Sequence, residues 1–230
     1  MALILHLETT SKNCSVSISK GLELVCLCEE ISDNFSSNEK LHTFINWALE
    51  GAEISINEID AISVSKGPGS YTGLRIGVAA AKGLCFALDK PLIALNTLEI
   101  LIQNQKYKNF ENLIPVIDAR RLELYTTIFD GRGISKSLIE AHILTANSFE
   151  SIKNDSNCFI GDAAKKTQDF FKENNLDFSQ SIFIEEFPSS KNMIELGYSK
   201  FLKQEFEDVA YFEPFYLKEF VGNKLDRYKK

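Results

Sequence analysis

Hydrophobic and polar residues alternate along the first thirty positions in a pattern typical of β-strands. Leu3 to Leu7 is a short apolar run, Cys14 to Ser19 alternates strictly, and Leu22 to Cys28 is again strand-like. Gly21 separates the last two runs, so we predict a first strand followed by a β-hairpin. The turn after the first strand, Glu8 to Ser11, carries three hydroxyl groups and one carboxylate.

A helical pattern follows, and its apolar side is wide. Ser36 to Glu39 has the form of a capping box, which predicts a helix that begins there and runs to Gly51. Because each residue turns the helix by about 100°, Trp47 widens the apolar arc to roughly 200°, well beyond what one buried face needs. Such a helix lies deep in the fold or meets a second protein, and the polar residues between its apolar positions favour the second interpretation. The predicted partner-binding residues of this helix are Leu41, Phe44, Ile45, Trp47 and Ala48.

The most specific stretch of the chain leads from a strand through a glycine-rich turn into a long helix. Ile59 to Val64 is apolar and β-branched, Gly67-Pro68-Gly69 ends the strand, and Gly73 to Leu88 is alanine-rich and helical. A helix N-terminus behind such a turn presents N–H groups and partial positive charge, which suit a phosphate or carboxylate. The glycines could equally serve only a tight turn, and the run lacks the Gly-Lys-Ser/Thr ending of a Walker loop. The predicted contacts to an anion or nucleotide are Glu8, Thr9, Gly67, Gly69, Ser70 and Arg75.

Small residues line one face of this second helix. Gly73, Gly77 and Ala81 are spaced at i, i+4 and i+8, so another backbone can approach closely along them. Glycine in a helix costs about 1 kcal/mol relative to alanine. The glycines, Gly83 included, therefore predict close packing, and we expect Gly73, Gly77 and Ala81 to contact a partner protein.

The second half of the chain restarts the pattern of the first. Residues 113–119 predict a strand and residues 122–128 alternate, which echoes residues 3–19 and suggests a duplicated unit. Strands alternating with helices predict an α/β protein of two related lobes. The polar stretch 103–112 is a plausible boundary. We predict an N-terminal lobe, which carries the glycine-rich turn and the partner helices, and a C-terminal lobe: residues 1–104 and 105–230.

Two further features lie in the second half. Asp118 and Arg120 could be functional, although residues at such a turn more often cap it and pair across it. Phe212 to Leu217 is extended by Pro214 and aromatic enough to dock on the body.

Composition narrows the class of protein. The chain has 230 residues, 44% of them hydrophobic, and a net charge of −7, which argues against a protein that grips nucleic acid alone. A nucleic-acid role would be shared with a partner, and the basic residues near the end predict a solvated terminus. Five cysteines without ligand spacing indicate reduced thiols. With no signal-peptide pattern and no run of 18 apolar residues, we expect a cytoplasmic protein.

Taken together, the sequence motifs of this chain resemble those of the bacterial TsaB (YeaZ) family of tRNA threonylcarbamoyladenosine biosynthesis proteins. The resemblance implies an actin-like, Hsp70-like (ASKHA, ribonuclease H-like) fold with duplicated units. The run Lys66 to Gly77, Lys-Gly-Pro-Gly-Ser-Tyr-Thr-Gly-Leu-Arg-Ile-Gly, is highly specific. Supporting motifs are Leu5 to Ser11, Ala81 to Gly83, Asp118-Ala-Arg120 before Glu123 to Tyr125, Gly161-Asp162 and Glu213 to Leu217.

The resemblance also implies what the protein does. It is similar to the catalytic subunit TsaD, in which two histidines at i and i+4 hold a metal. Thr97 and Leu101 stand at those positions here, so the family match implies no metal, no cofactor and no catalysis. It implies an accessory subunit that binds TsaD, with TsaE, for transfer of threonylcarbamoyl to adenosine 37 of tRNAs reading codons that begin with A. Family members also form homodimers, which would compete with the TsaD pair.

One alternative comes from another functional class. Glu8 replaces the aspartate usual in the family and resembles the TsaD form of the turn. Hydroxyl-rich turns with a carboxylate surround nucleotide in actin-like ATPases, so an ATPase or phosphotransferase using Glu8, residues 67–70 and Asp118 stays open. A metallopeptidase is disfavoured because the chain contains neither His-x-x-x-His nor His-Glu-x-x-His.

Overall fold

The computed structural model describes residues 1–32, 37–104, 107 and 109–218. The predicted helix start at Ser36 and the basic terminus beyond Lys218 lie outside these residues. Two mixed β-sheets with helices packed against them make up the described chain, so the predicted α/β fold class is confirmed. None of the described helices combines the length and the apolar character that crossing a membrane requires.

The first sheet has the strand order β3-β2-β1-β4-β5. The hairpin strands run antiparallel, whereas β4 and β5 run parallel to β1. Its elements are β1 (Leu3–Glu8), β2 (Asn13–Lys20), β3 (Glu23–Ile31), α1 (Ser37–Gly51), β4 (Ala61–Gly67), α2 (Tyr71–Leu88), β5 (Leu92–Asn96) and α3 (Thr97–Leu101).

The second sheet has the order β11-β10-β6-β7-β9, with β8 paired to β6. An antiparallel β6–β7–β9 half adjoins the parallel strands β10 and β11, which repeats the arrangement of the first sheet. The predicted duplication is confirmed by this topology. The elements are β6 (Asn112–Asp118), β7 (Glu123–Thr126), β8 (Phe129–Asp130), β9 (Glu140–Ile143), β10 (Asn157–Ile160), α4 (Ala164–Glu173), β11 (Ser181–Ile184) and α5 (Ile194–Lys203).

Both faces of the first sheet are covered. The apolar positions of β2 pack with α1 and α2, and its serines lie on the opposite face. On that second face α5 returns from the C-terminal half and packs over His6, with Gly197 at the contact. The division of the chain at residues 104 and 105 stays a prediction, and α5 belongs spatially to the first sheet.

Candidate functional site

The turn after β1 packs directly on the glycine-rich turn that opens α2. The Ser70 N–H donates to the Thr10 carbonyl oxygen over 2.7 Å. A side chain at Gly69 would meet that same oxygen at 2.7 Å, so only glycine allows this approach. The Ser70 side chain caps α2 by accepting from the Gly73 N–H over 3.3 Å. The Ser70 N–H is therefore already used within the chain, whereas the Ser70 hydroxyl, which only accepts here, keeps its own O–H donor.

The small-residue face of α2 rests on Thr9. A Cβ at Gly73 would lie 1.9 Å from the Thr9 carbonyl oxygen, and one at Gly77 would lie 2.3 Å from its Oγ1. Thr9 Oγ1 also donates to the Gly73 carbonyl over 2.7 Å, and Ala81 is fully buried. The predicted close approach is therefore present, but the backbone that approaches is the chain's own. The assignment of Gly73, Gly77 and Ala81 to a partner surface is corrected accordingly.

The apolar stripe of α1 is likewise internal. Leu41, Phe44, Ile45 and Ala48 belong to the core between α1, α2 and the first sheet. At most 5% of the surface of any of these four residues is exposed, which leaves almost no area for a second protein in this conformation, so their assignment to partner binding is corrected too. Trp47 differs, because 55% of its surface is exposed and its ring stacks on Phe44 at 5.6 Å.

An apolar groove runs between the outer sides of α1 and α2. Its volume is about 480 Å³, and it is lined by His42, Ile76, Ala79, Ala80, Gly83 and Leu84. No described residue outside the helix lies within 4 Å of the point where a Gly83 side chain would begin, so this glycine does not serve packing within the described part of the chain. Sequence analysis missed the groove, although the position of Gly83, about 120° around the helix from Gly77, separates it from the buried face.

The Glu8 carboxyl group is fully buried at the end of β1. Its Oε1 accepts from the Thr10 N–H over 2.6 Å and from the Thr10 hydroxyl over 2.5 Å. Its Oε2 has no hydrogen-bond partner among the described residues. Burial raises the pKa of Glu8, and the Thr10 hydrogen bonds oppose that shift. The carboxyl group is thus directed at its own turn.

The other predicted anion contacts are dispersed. A side chain at Gly67 would lie 2.8 Å from the Phe215 carbonyl oxygen, because the C-terminal tail occupies that side of the turn. Arg75 lies with its guanidinium 4.4 Å from the centre of the Tyr71 ring. The tail is anchored where Phe215 N–H donates to the Lys66 carbonyl over 2.7 Å, so the predicted docking of the tail is confirmed. An anion site at these residues stays a prediction.

The junction of β5 and α3 is the point where TsaD-like metal ligands were expected to be replaced. Asn96 caps α3 by accepting from the Leu98 N–H over 2.8 Å. Thr97 is fully buried, and Leu101 is packed in an apolar cluster. A threonine hydroxyl and an isobutyl group do not fit a transition-metal site, which takes imidazole, thiolate or carboxylate ligands.

The corresponding turn of the second lobe is held by ion pairs and hydrogen bonds. Asp118 Oδ1 accepts from the Arg120 N–H over 2.8 Å and from Lys166 Nζ over 2.6 Å. Asp162 Oδ1 in turn accepts from the Asp118 N–H over 2.8 Å. Asp118 therefore caps its turn and pairs across it, as such residues commonly do.

Comparisons with known proteins agree with the resemblance. The family model of TsaD, tRNA N6-adenosine threonylcarbamoyltransferase, matches residues 30–222. The TsaB protein of Buchnera aphidicola subsp. Baizongia pistaciae is 30% identical over 94% of this chain and 98% of its own length. TsaB of Haemophilus influenzae is 27% identical over 95% and 94%, respectively.

Similarity of fold points the same way. The solved structure of YeaZ from Pseudomonas aeruginosa superposes with a TM-score of 0.74 at 22% identity, covering 94% of this chain and 100% of that one. Together with the family model and the full-length relatives, this fold shows that the chain belongs to the TsaD family and, within it, to the TsaB (YeaZ) group.

Proposed function

We propose that this chain is an accessory subunit for threonylcarbamoyladenosine formation in tRNA, which binds and supports TsaD and does not transfer the group itself. The observation that carries the proposal is the β5–α3 junction, where Thr97 and Leu101 replace the two imidazoles of the TsaD pattern and are buried in the protein. The full-length TsaB relatives support the process: each is described as a tRNA threonylcarbamoyladenosine biosynthesis protein.

The partner surface that we propose is the groove between α1 and α2 together with the exposed ring of Trp47. Small exposed residues, Ala79 and Gly83, let a partner helix approach closely, and Ile76 and Leu84 offer apolar area to bury. Tryptophan is a common energetic centre of such contacts. In the cytoplasm TsaD would occupy this groove in the working complex, with TsaE joining, and a second copy of the chain would compete for it.

Gly83 provides a sharp test of this surface. Its side-chain position is open, so Gly83→Trp should fold and yet fill the groove. We expect its affinity for TsaD to fall at least tenfold, or by about 1.4 kcal/mol, with loss of the heterodimer in size-exclusion chromatography. Gly83→Ala is the matched control and should still pair.

Trp47→Glu should lower threonylcarbamoyladenosine in tRNA, measured by mass spectrometry of nucleosides from cells that carry only the variant.

Two outcomes would contradict the proposal. One is a folded Gly83→Trp protein that pairs with TsaD as tightly as the unaltered chain, which would remove the groove from the interface. The other is rapid ATP hydrolysis, or transfer of threonylcarbamoyl, by the purified chain alone. That result would establish an enzyme with its own active site.

A further inference from the structure

The C-terminal tail, residues 212–218, bridges the two lobes. Phe215 N–H donates to the Lys66 carbonyl at the end of β4, over 2.7 Å. Three residues later, the Lys218 ammonium group forms an ion pair with Glu123 of β7. The tail therefore carries the side chains between these anchors across the boundary of the lobes.

Tyr216 of this tail completes an aromatic stack on α2. Its ring centre lies 5.0 Å from that of Tyr71, with 38° between the planes. The Arg75 guanidinium lies over the same Tyr71 ring at 4.4 Å. Tyr216 is 37% exposed, and Arg75 is also exposed. The stack thus joins two motifs that are far apart in the sequence, neither of which the proposed partner groove uses.

Positive charge extends from this stack onto the second lobe. Burial raises the pKa of the Tyr125 hydroxyl, while the nearby cations Lys218 and Arg120 act to lower it and Glu123 acts to raise it. The Glu123 N–H donates to the Arg120 carbonyl oxygen over 3.1 Å, so Arg120 belongs to the same turn as the carboxylate that pairs with Lys218. The carboxylate of Glu123 is paired with Lys218, and Arg75 and Arg120 make no ion pair within the part of the chain that the structure describes. Both guanidinium groups can therefore take up an anion.

We infer that this cross-lobe surface, formed by Arg75, Tyr71, Tyr216, Lys218, Tyr125 and Arg120, binds a short stretch of unpaired RNA. A base can stack on the exposed Tyr216 ring, and the two guanidinium groups can each pair with a phosphate through two N–H donors. Aromatic rings and arginines along one surface suit single-stranded nucleic acid, because every nucleotide offers both a flat base and an anion. The inference rests on the proposed function, since the RNA in question would be the tRNA held by the TsaD complex.

The net charge of −7 limits the affinity for RNA that we expect. A surface with two free arginines makes few phosphate contacts, so we expect a dissociation constant on the order of 10–100 μM for the chain alone, near the range of non-specific binding. Binding of this affinity can add to the binding of an RNA that a partner protein already holds. It agrees with the expectation that this chain does not bind nucleic acid tightly by itself.

Fluorescence anisotropy with a labelled single-stranded RNA of about ten nucleotides, and with an intact tRNA transcript, tests the inference on the full chain. Tyr216→Ala should weaken binding roughly tenfold, because it removes one stacked base, whereas Tyr216→Phe should bind normally. Arg75→Gln and Arg120→Gln should each weaken binding and make the slope of log affinity against log salt shallower by about 0.7. Arg132→Gln, which removes an equal charge beside Asp130 at the far end of β6, is the control and should bind normally.

Three results would overturn the inference. The unaltered chain could fail to bind RNA, the variants Tyr216→Ala, Arg75→Gln and Arg120→Gln could bind as tightly as the unaltered chain, or Arg132→Gln could weaken binding as much as they do. A fourth would replace it: variants that keep RNA affinity but lose TsaD would make the surface a protein contact. Trp47→Glu separates this inference from the proposed function, because it should lose TsaD and retain RNA binding. Thermal melts of each variant show whether it still folds, and amide exchange at Phe215 shows whether the tail still docks.

Discussion

Two glycines of the same helix should respond to alanine with opposite signs. At Gly83 the new methyl group meets no neighbour within 4 Å among the described residues, so Gly83→Ala should gain about 1 kcal/mol of stability from helix propensity alone. At Gly73 the methyl group would lie 1.9 Å from the Thr9 carbonyl oxygen. Relief requires a backbone shift that costs about 1–3 kcal/mol and strains the Thr9–Gly73 hydrogen bond, worth about 1 kcal/mol.

The sum at Gly73, after the same propensity gain, is a loss of about 1–3 kcal/mol. For a chain of this size each kcal/mol moves the melting temperature by roughly 2–4 °C. Differential scanning calorimetry should therefore place Gly73→Ala several degrees below the unaltered chain and Gly83→Ala a few degrees above it. An equal rise for both variants would refute the close contact between α2 and the turn after β1.

Further predictions concern His6 and the anchoring of the tail. Burial lowers the pKa of His6 from 6.5 to about 3. Between these two pH values the unfolded chain takes up a proton that the folded chain does not, so the full stability is present above pH 6.5 and is lost progressively as the pH falls toward 3. At pH 5 the free energy of unfolding should be lower than at pH 7 by roughly 2 kcal/mol. Urea titrations at both pH values should show this loss for the unaltered chain and not for His6→Gln. Equal losses in the two proteins would contradict the burial of His6. Lys82 Nζ donates to the carbonyls of Ala210 and Phe212 over 3.2 and 2.8 Å, so Lys82→Met should speed amide exchange at Phe215 about tenfold. Lys20→Met, at an exposed lysine, should not.

Local patterns were sufficient for the elements and for the duplication. Alternation located the strands of the first hairpin, and the glycine-rich turn located the start of α2, because both signals lie within a few consecutive residues. The strand-turn-strand repeat likewise indicated two related sheets. The fold class therefore followed from the sequence, helped by the resemblance to a known family.

The contact surface did not follow, because spacing shows that something packs closely but not what packs there. Gly73 and Gly77 lie against Thr9 of the same chain, and the pattern that predicts their approach is the same for an internal neighbour and a partner. The wide apolar arc of α1 divides into a buried stripe and the exposed Trp47. Which part of the arc is buried depends on where the sheet packs, and the helix sequence alone does not contain that information. The contact of Tyr71 with Tyr216 joins residues that are far apart in the sequence, so no local pattern indicates it.

The tail that spans both lobes has a mechanical consequence. Its anchors, Phe215 on Lys66 and Lys218 on Glu123, attach it to β4 of the first sheet and to β7 of the second. A movement of one sheet away from the other would break at least one of these two contacts, so the tail acts as a strap that opposes their separation. The arrangement of the two sheets should therefore be kept as long as both contacts of the tail are intact.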